Sequence, residues 1–339
     1  MHLADMLALR PVPAAGLLMA ITRRCPLTCA HCSTNSLLTS EEHPAEWFSG
    51  FVGTIGREDR PELIMLTGGE PMLRPRLVGA IASAARGVGT RTMVLTGGFF
   101  APRVPSALED VAHVSVSLDV FHQREVPREN VFRLVHLLAE RGTAVSFHLV
   151  GTGPGDPYLT ELIGTVRREF RDEVPMLVGR VQAAGRARAW APADERAPSE
   201  RPRPCTMAAW PTVSPDGTVT ACCNQDVLDH RPVPGHLRLG HLSTDDWRSI
   251  RTSCLTSPLL RAIRTGGPRW ASGRSEDGYC GTCRALGAEE AARPRPAAAY
   301  LEQQVVHAQV GAGPAGFMRR YGEARFAELV MLGRETHAV

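Results

Sequence analysis

The chain has 339 residues, 43% of them hydrophobic and 22% charged, which is typical of a globular protein with a sizeable core. Its formal net charge of +3 indicates neither a nucleic acid nor an anionic membrane as a partner, and no apolar run reaches the roughly 18 residues of a membrane span. All 38 basic residues are arginine, which excludes Schiff-base, pyridoxal-phosphate and P-loop chemistry because each needs a lysine.

Six short apolar runs, rich in β-branched residues, recur along the first half of the chain and predict buried strands. Helical patterns separate most of them, so the series predicts a parallel α/β sheet of six βα units, two short of a complete eight-fold barrel. The predicted strands are residues 17–21, 63–66, 92–95, 114–118, 145–150 and 176–181, and the predicted helices are residues 44–55, 76–85, 129–141 and 157–170. Polar groups follow several strands, so we expect one functional site at the carboxyl ends of the sheet.

The remaining chain predicts three further parts after a first domain at residues 1–186. Residues 187–204 are rich in Arg, Ala, Pro and Glu and predict a linker. Residues 205–290 hold six cysteines and a hairpin signal at Pro215-Asp216-Gly217. Residues 291–339 carry two helical patterns, interrupted by glycines at 311–316.

Nine cysteines in a long chain without a recognisable export signal predict thiolates in a reducing cytoplasm rather than disulfides. Cys25, Cys29 and Cys32 form a C-x3-C-x2-C loop after the first strand. Thiolates are the usual ligands of iron–sulfur clusters, and three of them leave one iron of a four-iron cluster open for catalysis. The alternatives are a zinc knuckle or unpaired buried cysteines.

Gly68-Gly69-Glu70-Pro71 follows the second strand. With the cysteine loop and the βα series, it makes residues 15–186 resemble the radical S-adenosylmethionine (radical SAM) superfamily. The resemblance implies a partial (β/α)6 barrel and a [4Fe-4S] cluster on the three cysteines. It also implies that SAM binds the open iron, with its amino group held at Gly68, Gly69 and Glu70.

Further residues are candidates for SAM binding. His31 stands where the family often has an aromatic residue, and its ring would stack near the adenine. Ser117 and Asp119 follow the fourth strand and would bind the ribose, or would instead form a turn or helix cap. Gln182 and Arg186 lie in a segment that resembles members with an extra cluster domain. Arg186 would pair with the SAM carboxylate, or would be a solvated arginine.

Cys205, Gly217 and Cys222 have the spacing that opens the SPASM and Twitch auxiliary-cluster domains of radical SAM enzymes, and Cys280-Gly-Thr-Cys283 follows later. No cysteine follows Cys283, so this resemblance implies a Twitch-like unit with a second [4Fe-4S] cluster on Cys205, Cys222, Cys280 and Cys283. A four-cysteine zinc site is the alternative.

Two cysteines are left over in this unit. Cys223 is an alternative to its neighbour Cys222, since adjacent strand residues point in opposite directions. Cys254 has no partner at ligand spacing and is predicted to be a small buried hydrophobe.

The resemblance implies an oxidoreductase that cleaves SAM to a 5′-deoxyadenosyl radical, which abstracts hydrogen from a substrate C–H bond. The auxiliary cluster would accept the second electron, and a flavodoxin or ferredoxin would supply the first. Candidate bases are His122 and His148, with Arg186 as a polarising partner.

Two substrate classes follow from the resemblance: a small sugar or aminocyclitol, and a ribosomally made peptide that is crosslinked, thioether-bridged or epimerised. About 16 residues precede the first strand, so we expect no fused peptide-recognition domain, which favours the small molecule. A different class of function is a non-catalytic iron–sulfur or zinc protein that senses redox state.

Overall fold

The structure is a computed structural model that describes residues 1–153, 155–192, 203–273, 278–295 and 297–312. Its centre is a parallel sheet with the strand order β6-β5-β4-β3-β2-β1, in a partial barrel. Consecutive strands are therefore neighbours, as right-handed βα units require. The six strands are β1 (Gly16–Ala20), β2 (Leu63–Thr67), β3 (Arg91–Thr96), β4 (His113–Ser117), β5 (Ala144–Gly151) and β6 (Met176–Arg180).

All six predicted strands are confirmed, with ends that differ by at most one residue. The helices between them are α2 (Ala45–Gly53), α3 (Pro75–Val88), α4 (Arg128–Glu140) and α5 (Pro157–Glu169). Between β3 and β4 the chain makes only a short 3-10 turn, Ser106–Leu108, where a complete βα unit was expected. This segment contains Pro102 and Pro105, and prolines disfavour a regular helix.

The two faces of the parallel sheet differ in burial. One face, with Met19, Leu66, Val116 and Phe147, packs against the helices and is fully buried. On the opposite face Met93, Ser115 and Ser146 are buried, whereas six residues are half-buried. These six, which we call the interior wall, are Leu18, Met65, Leu95, His148, Val150 and Leu177.

The amino ends of the strands are closed by a floor. Helix α1 (Leu3–Leu9) packs Leu3 and Met6 against Trp210 and Met93. Gly16 permits this approach, since a Cβ there would lie 2.3 Å from the Trp210 ring. The interior is therefore open toward the carboxyl ends of the strands, where the predicted site lies.

The second unit continues the same sheet. The predicted hairpin is confirmed as β7 (Thr212–Val213) and β8 (Thr218–Thr220), and β9 (Arg238–His241) follows. Strand β7 pairs in parallel with β1, so the described residues form one sheet of nine strands. Strand β7 thus covers the β1 edge of the parallel sheet.

Helices surround this hairpin and pack on a second core that includes Val227, Leu260 and Ile263. A buried Arg264–Glu302 pair joins α8 to α12. The helices are α6 (Gln225–Leu228), α7 (Trp247–Thr256), α8 (Pro258–Gly266), α9 (Pro268–Ser272), α10 (Gly278–Arg284), α11 (Ala288–Ala292) and α12 (Ala298–Gly311).

Two predicted segments lie partly outside the described residues. Of the predicted linker, residues 193–202 are outside, and of the predicted C-terminal extension, the second helical pattern beyond residue 312 is outside. Within the part that is described, no helix has the length and hydropathy needed to cross a membrane.

Candidate metal centre at the carboxyl end of the sheet

The loop after β1 that carries Cys25, Cys29 and Cys32 is called here the cysteine loop (residues 25–32). The turn after β4 holds it through Glu125, whose two carboxylate oxygens accept hydrogen bonds from the Thr28 backbone N–H at 2.7 and 2.9 Å. The segment after β6 holds it through Trp190, whose Nε1 donates to the Ala30 carbonyl at 3.1 Å. Two strand ends therefore fix the loop.

Arg186 adds two hydrogen bonds to the same loop and a third to Ser36, four residues after it. Its backbone N–H donates to the Cys32 carbonyl at 2.9 Å. Its Nε donates to the Cys29 carbonyl at 2.9 Å, and its Nη1 to the Ser36 carbonyl at 2.8 Å. The preceding Gly185 has a φ of +52°, and a Cβ there would lie 2.3 Å from the Cys32 carbonyl oxygen. Arg186 therefore binds backbone carbonyls in and just after the cysteine loop, and the sequence did not predict these contacts.

The Gly-Gly-Glu turn after β2 lies against the backbone that leads into the cysteine loop. Gly69 donates its N–H to the Thr22 carbonyl and Glu70 donates to the Arg24 carbonyl, both at 2.8 Å. A Cβ on Gly68 would come within 2.2 Å of Thr22 O, and one on Gly69 within 2.3 Å of Arg24 O. Two glycines are required here because two backbone segments touch.

The Glu70 carboxylate is 1% exposed and points toward the end of β3. It accepts hydrogen bonds from the Met72 N–H at 2.9 Å, the Gly97 N–H at 2.8 Å and the Thr96 hydroxyl at 2.8 Å. Burial raises its pKa, and these hydrogen bonds oppose the rise. Thr96 and Gly97 were missed at the sequence level, although Thr96-Gly97-Gly98 ends a predicted strand.

The three loop thiols differ in their electrostatic surroundings. Burial raises the pKa of Cys25 to about 12, and the nearby Glu70, Cys29 and Cys32 add to this rise. Burial acts the same way on Cys32, but hydrogen bonds from Thr34 and Ser36 outweigh it and lower the Cys32 pKa. Cationic irons would stabilise all three as thiolates.

Asp119 begins the turn after β4 and is 1% exposed. Its Oδ1 accepts hydrogen bonds from the Phe121 and His122 N–H groups at 2.9 and 3.0 Å, and its Oδ2 accepts from His122 Nδ1 at 2.9 Å. These contacts match the turn-forming alternative that the sequence left open. Burial lowers the His122 pKa, but hydrogen bonds with Asp119 and Cys29 outweigh it and raise the value to about 10.

His31 has one ring face covered and one nitrogen without a partner. Its ring stacks on Phe121 at 4.5 Å and 23°, and Phe121 in turn contacts Trp190 at 5.5 Å. Burial lowers the His31 pKa to about 4, so the ring is neutral at pH 7. Its buried Nδ1 has no hydrogen-bond partner among the described residues, which fits a site that a ligand completes.

Donor atoms of Cys29, His31 and His122 lie within 4.8 Å of one another, a group close enough to hold one metal ion. The predicted set of three cysteines does not need such closeness, because each thiolate of a four-iron cluster binds a different iron. Three thiols on one clamped loop, with a ring nitrogen left unpaired beside them, fit a cluster that leaves one iron open to a ligand.

The remaining site residues predicted from the sequence are Ser117, His148 and Gln182. Ser117 is buried at the end of β4 and lies beside His148 in the β4–β5 register. His148 is half-buried on the interior wall, and burial lowers its pKa. Gln182 is exposed and its amide donates to the Arg180 carbonyl at 3.2 Å, so it contacts neither the cysteine loop nor Glu70.

All nine cysteines lie within the described residues, and none of them forms a disulfide there. Burial raises the pKa of Cys222, and Cys223, Cys205 and Cys283 are close enough to raise it further. Burial also raises the pKa of Cys205 and Cys283, and Cys280 adds to both effects. The four cysteines predicted for the second site are therefore near enough to influence one another's pKa, and Asn224 donates to two of them, to Cys222 Sγ at 3.4 Å and to Cys280 Sγ at 3.7 Å.

The two remaining cysteines of this unit have other surroundings. Cys223 accepts a hydrogen bond from Arg10 Nη2 at 3.1 Å and contacts the Met207 sulfur at 3.9 Å. Cys254 is fully buried and its thiol donates to the Ala209 carbonyl at 3.6 Å. This agrees with the prediction of a small buried hydrophobe for Cys254.

Ion pairs connect the surroundings of the two cysteine groups. Arg23, two residues before Cys25, pairs with Asp229. Asp226 pairs with Arg188 at 2.5 Å and with Arg284, the neighbour of Cys283, at 3.3 Å. Helix α6 and Asp229, the residue that follows it, thus lie between the cysteine loop and the second cysteine group.

Comparison with known proteins agrees with this geometry. Residues 19–165 match the family model of the radical SAM superfamily, a range that includes the cysteine loop, Glu70 and His122. Residues 19–165, less than half of the chain, are therefore similar to the domain that defines this superfamily, whose members use SAM and a [4Fe-4S] cluster. The second cysteine group lies outside the matched range.

Among curated proteins, the PqqA peptide cyclase of Gluconobacter oxydans is 37% identical over 95 residues, 26% of this chain, and the match spans about a quarter of that protein's length. Among solved structures, Streptococcus suis SuiB bound to its precursor peptide SuiA has a TM-score of 0.53 at 13% identity, covering 78% of this chain and 70% of SuiB. A polyhistidine-tagged anSMEcpe with bound AdoMet has a TM-score of 0.50 at 12% identity, covering 89% of this chain and 99% of anSMEcpe. These two structures share the fold.

Proposed function

We propose that the protein is a radical SAM enzyme whose cluster is held by Cys25, Cys29 and Cys32. The observation that carries this proposal is the pair of 2.8 Å hydrogen bonds from Gly69 and Glu70 to Thr22 and Arg24. They bring the acidic turn against the entry of the cysteine loop, as a shared cluster and SAM site requires. When bound together and reduced, the cluster and SAM supply a 5′-deoxyadenosyl radical that abstracts hydrogen from the substrate.

The protein's own residues would bind and orient SAM at this site. Glu70 offers a buried carboxylate to the ammonium group of SAM, a charge-assisted contact. His31 offers a flat neutral ring and an unpaired nitrogen to the adenine, and Ser117 a hydroxyl to the ribose. Arg186 positions the loop rather than the substrate, because its side chain already binds the carbonyls of Cys29 in the loop and of Ser36 just after it.

We further propose a second [4Fe-4S] cluster on Cys205, Cys222, Cys280 and Cys283. Their shared surroundings support a metal site, since four clustered thiols without a disulfide favour metal ligation. In a net two-electron oxidation this cluster would accept the electron left on the substrate after His148 takes a proton. A low-potential flavodoxin or ferredoxin in a reducing cytoplasm would supply the first electron.

Five of the six interior-wall residues are apolar, which supports an uncharged apolar substrate group beside His148. Arg91 is the charged side chain among the described strand residues on this face. It is exposed and lies at the amino end of β3, opposite to the predicted site. A polyol or aminocyclitol entering this space would leave buried polar groups unpaired, at a cost of roughly 1–3 kcal/mol each. The side chain of a peptide therefore fits better than the small polyol that the sequence favoured. A peptide substrate is also favoured by the names of two similar proteins, PqqA peptide cyclase and SuiB bound to its precursor peptide.

Anaerobic incubation of the reconstituted protein with SAM and dithionite tests the proposed activity. We expect 5′-deoxyadenosine and methionine, detected by mass spectrometry, and none from Cys25→Ala. Cys254→Ala, which removes a thiol outside the loop, should retain the products. An iron–sulfur sensor would show a reduced-cluster EPR signal without 5′-deoxyadenosine, and a zinc protein would show neither.

The substrate class is tested by isotope transfer in the same assay. A peptide mixture carrying perdeuterated leucine is compared with perdeuterated myo-inositol. Deuterium in 5′-deoxyadenosine from the peptide mixture alone would support an apolar side chain, whereas deuterium from the inositol alone would support the polyol.

A further inference from the structure

One cysteine and two histidines bring their donor atoms together where the cysteine loop meets the turn after β4. Cys29 and His31 lie in the loop and His122 lies in the turn, and one donor atom from each lies within 4.8 Å of the other two. Zinc binds nitrogen and sulfur at about 2.0–2.3 Å, so two ligands of one tetrahedral ion lie about 3.5 Å apart. Small side-chain movements would therefore bring all three donor atoms onto one ion.

The three loop thiols do not converge in this way. Among the residues that the structure describes, Cys25, Cys29 and Cys32 form no group within the same limit. A single ion on all three would require the loop to change shape, and Glu125 and Arg186 hold its backbone. The mixed set of one cysteine and two histidines therefore fits one ion better than the three thiols do.

Asp119 determines which nitrogen of His122 can bind an ion. Its Oδ2 accepts a hydrogen bond from His122 Nδ1 at 2.9 Å, and its Oδ1 accepts one from the His122 backbone N–H at 3.0 Å. Nε2 is therefore the nitrogen that is left for a metal. A carboxylate behind a histidine in this way is the usual partner of a metal-bound imidazole, because it fixes the ring and makes it a stronger ligand.

The second histidine has no hydrogen bond that a metal would have to break. His31 Nδ1 is buried without a partner among the described residues, and Nε2 lies 3.6 Å from Asp119 Oδ2, which is longer than a hydrogen bond. The ring is instead held by stacking on Phe121 at 4.5 Å and by the edge of the His122 ring at 4.9 Å. A buried polar atom without a partner is unfavourable, and a bound ion would relieve this.

From this arrangement we propose that the protein without its cluster binds one zinc-type divalent ion through Cys29, His31 and His122. Asp119 lies behind His122, and the fourth position of the ion is open. One thiolate with two imidazoles suits Zn²⁺ and its substitute Co²⁺. The ion replaces the protons on Cys29 and on His122 Nε2, which are released to solvent.

This site and the proposed cluster exclude each other, because both need the Cys29 thiolate. Zinc added before iron and sulfide should therefore lower the yield of the [4Fe-4S] cluster in the unaltered protein and should lower it much less in His31→Phe. Only this exclusion rests on the proposed function, whereas the binding of the ion does not.

The binding is tested by an anaerobic Co²⁺ titration of the apoprotein in a cysteine-depleted background. Cys25→Ala and Cys32→Ala leave Cys29 as the thiol of the loop, and Cys280→Ala with Cys283→Ala disables the second group. Circular dichroism checks that this background folds. We expect one Co²⁺ per chain, with the ligand-field bands of a tetrahedral ion and a thiolate-to-cobalt charge-transfer band.

Three variants in this background identify the other ligands. His31→Phe keeps the stacked ring without its nitrogens, and His122→Asn keeps an N–H for Asp119 without Nε2. Each should weaken Co²⁺ binding about tenfold or more, and Asp119→Asn should weaken it about 10–100-fold. His136→Gln is the matched control with no expected effect, because His136 and Glu169 form a pair of the same 2.9 Å length on the exposed surface.

X-ray absorption at the zinc edge gives a second measurement that leaves the loop unaltered. In the chain with only Cys280→Ala and Cys283→Ala, loaded with one Zn²⁺, we expect one sulfur and two imidazoles around the ion. Three sulfurs would show that zinc binds the loop thiols and would overturn the inference. Unchanged Co²⁺ affinity in both His31→Phe and His122→Asn would overturn it as well.

The two proposals can fail separately. If iron and sulfide give no [4Fe-4S] cluster in the unaltered protein but Co²⁺ binds as expected, the proposed function fails and this site stands. If the cluster forms and the folded background gives no tetrahedral Co²⁺ spectrum, the proposed function stands and this site is refuted.

Discussion

The two cysteine groups are built in different ways. In the cysteine loop, three cysteines lie within eight residues, and backbone or side-chain hydrogen bonds from two strand ends hold them. In the second group, four cysteines come from three distant segments, which the hairpin and α10 bring together. The first site thus depends on a local backbone geometry, and the second depends on the tertiary fold.

The glycines of the two regions show the same contrast. Gly69 and Gly185 have no space for a Cβ, because backbone carbonyls lie 2.3 Å away. Gly278, two residues before Cys280, has a φ of +75°, and no atom of the residues that the structure describes lies within 4 Å of an added Cβ. The first region is therefore tightly packed backbone, while the start of α10 has open space beside it.

The largest expected effect tests which cysteines form the second group. Cys222→Ala should lose all iron of the second site, about four atoms per chain for a [4Fe-4S] cluster, while Cys223→Ala should keep it. The reason is that Cys222 is close to Cys205 and Cys283, whereas Cys223 binds Arg10. Iron and zinc analysis with EPR measures both variants. Zinc in place of iron would show that the second site is not a cluster.

A large loss of stability is expected from Gly185→Ala. The added Cβ would overlap the Cys32 carbonyl and would also require a positive φ of an L-residue, so we expect a cost of about 3 kcal/mol or more. Thermal unfolding and the iron content of the first site measure it. Gly142→Ala is the matched control, with a φ of +79° and open space, and should cost about 1 kcal/mol. Equal costs would show that the loop has room to move.

A smaller effect is expected from Arg186→Ala, which removes the two side-chain hydrogen bonds to Cys29 and Ser36. Charged donors of this kind contribute roughly 1.5–3 kcal/mol each, reduced here by water that can reach a half-buried group, so a loss of about 2 kcal/mol is expected. Arg186→Lys should recover only part, since an ammonium cannot reproduce the planar fork. The measurement is thermal unfolding with iron retention during dialysis. Unchanged iron retention would contradict the role as a clamp.

The smallest effect, about 1.4 kcal/mol for each ring at pH 5.5, concerns acid. Burial lowers the pKa of His236 in the second unit, and of His113 at the floor, to about 4 in each case. Both rings are neutral in the folded protein and take up a proton near pH 6.5 when unfolded. Their contribution to stability is thus fully present above pH 6.5 and is lost as the pH falls toward 4, with a slope of at most about 1.4 kcal/mol per pH unit for each ring.

Hydrogen exchange at pH 7.5 and 5.5 shows whether the two regions respond together. If they unfold as one unit, His236→Gln and His113→Gln should reduce the acid sensitivity of both regions equally. If the second unit opens by itself, only His236→Gln should alter the protection of residues 278–286. The second outcome would sharpen the contrast between a rigid loop and a separately opening unit.

The parallel sheet and the cysteine loop were predictable because their determinants are local. Apolar runs such as residues 114–118 and the spacing from Cys25 to Cys32 are visible in the sequence itself. The pairing of β7 with β1 was not predictable, because strand partners far apart in the chain leave no periodic signal.

The roles of single residues at the site could not be predicted from the sequence either. That Asp119 orients His122, or that Arg186 binds loop carbonyls, depends on side-chain directions set by the packed turns. Thr96 and Gly97 contact Glu70 only because β2 and β3 are neighbours in the sheet. The assignment of SAM-binding and metal-ligating roles stays a prediction that the variants above address.

The pairing of β7 with β1 has a consequence for dissecting the molecule. A fragment that stops after β6 would leave the backbone groups of Leu18 and Met19 without their partners on Thr212 and Val213. Bare sheet edges of this kind recruit other chains and aggregate. Insolubility of such a fragment would thus reflect a lost neighbour strand rather than a defective cluster site, and chemistry at the two sites is better separated by point substitutions than by truncation.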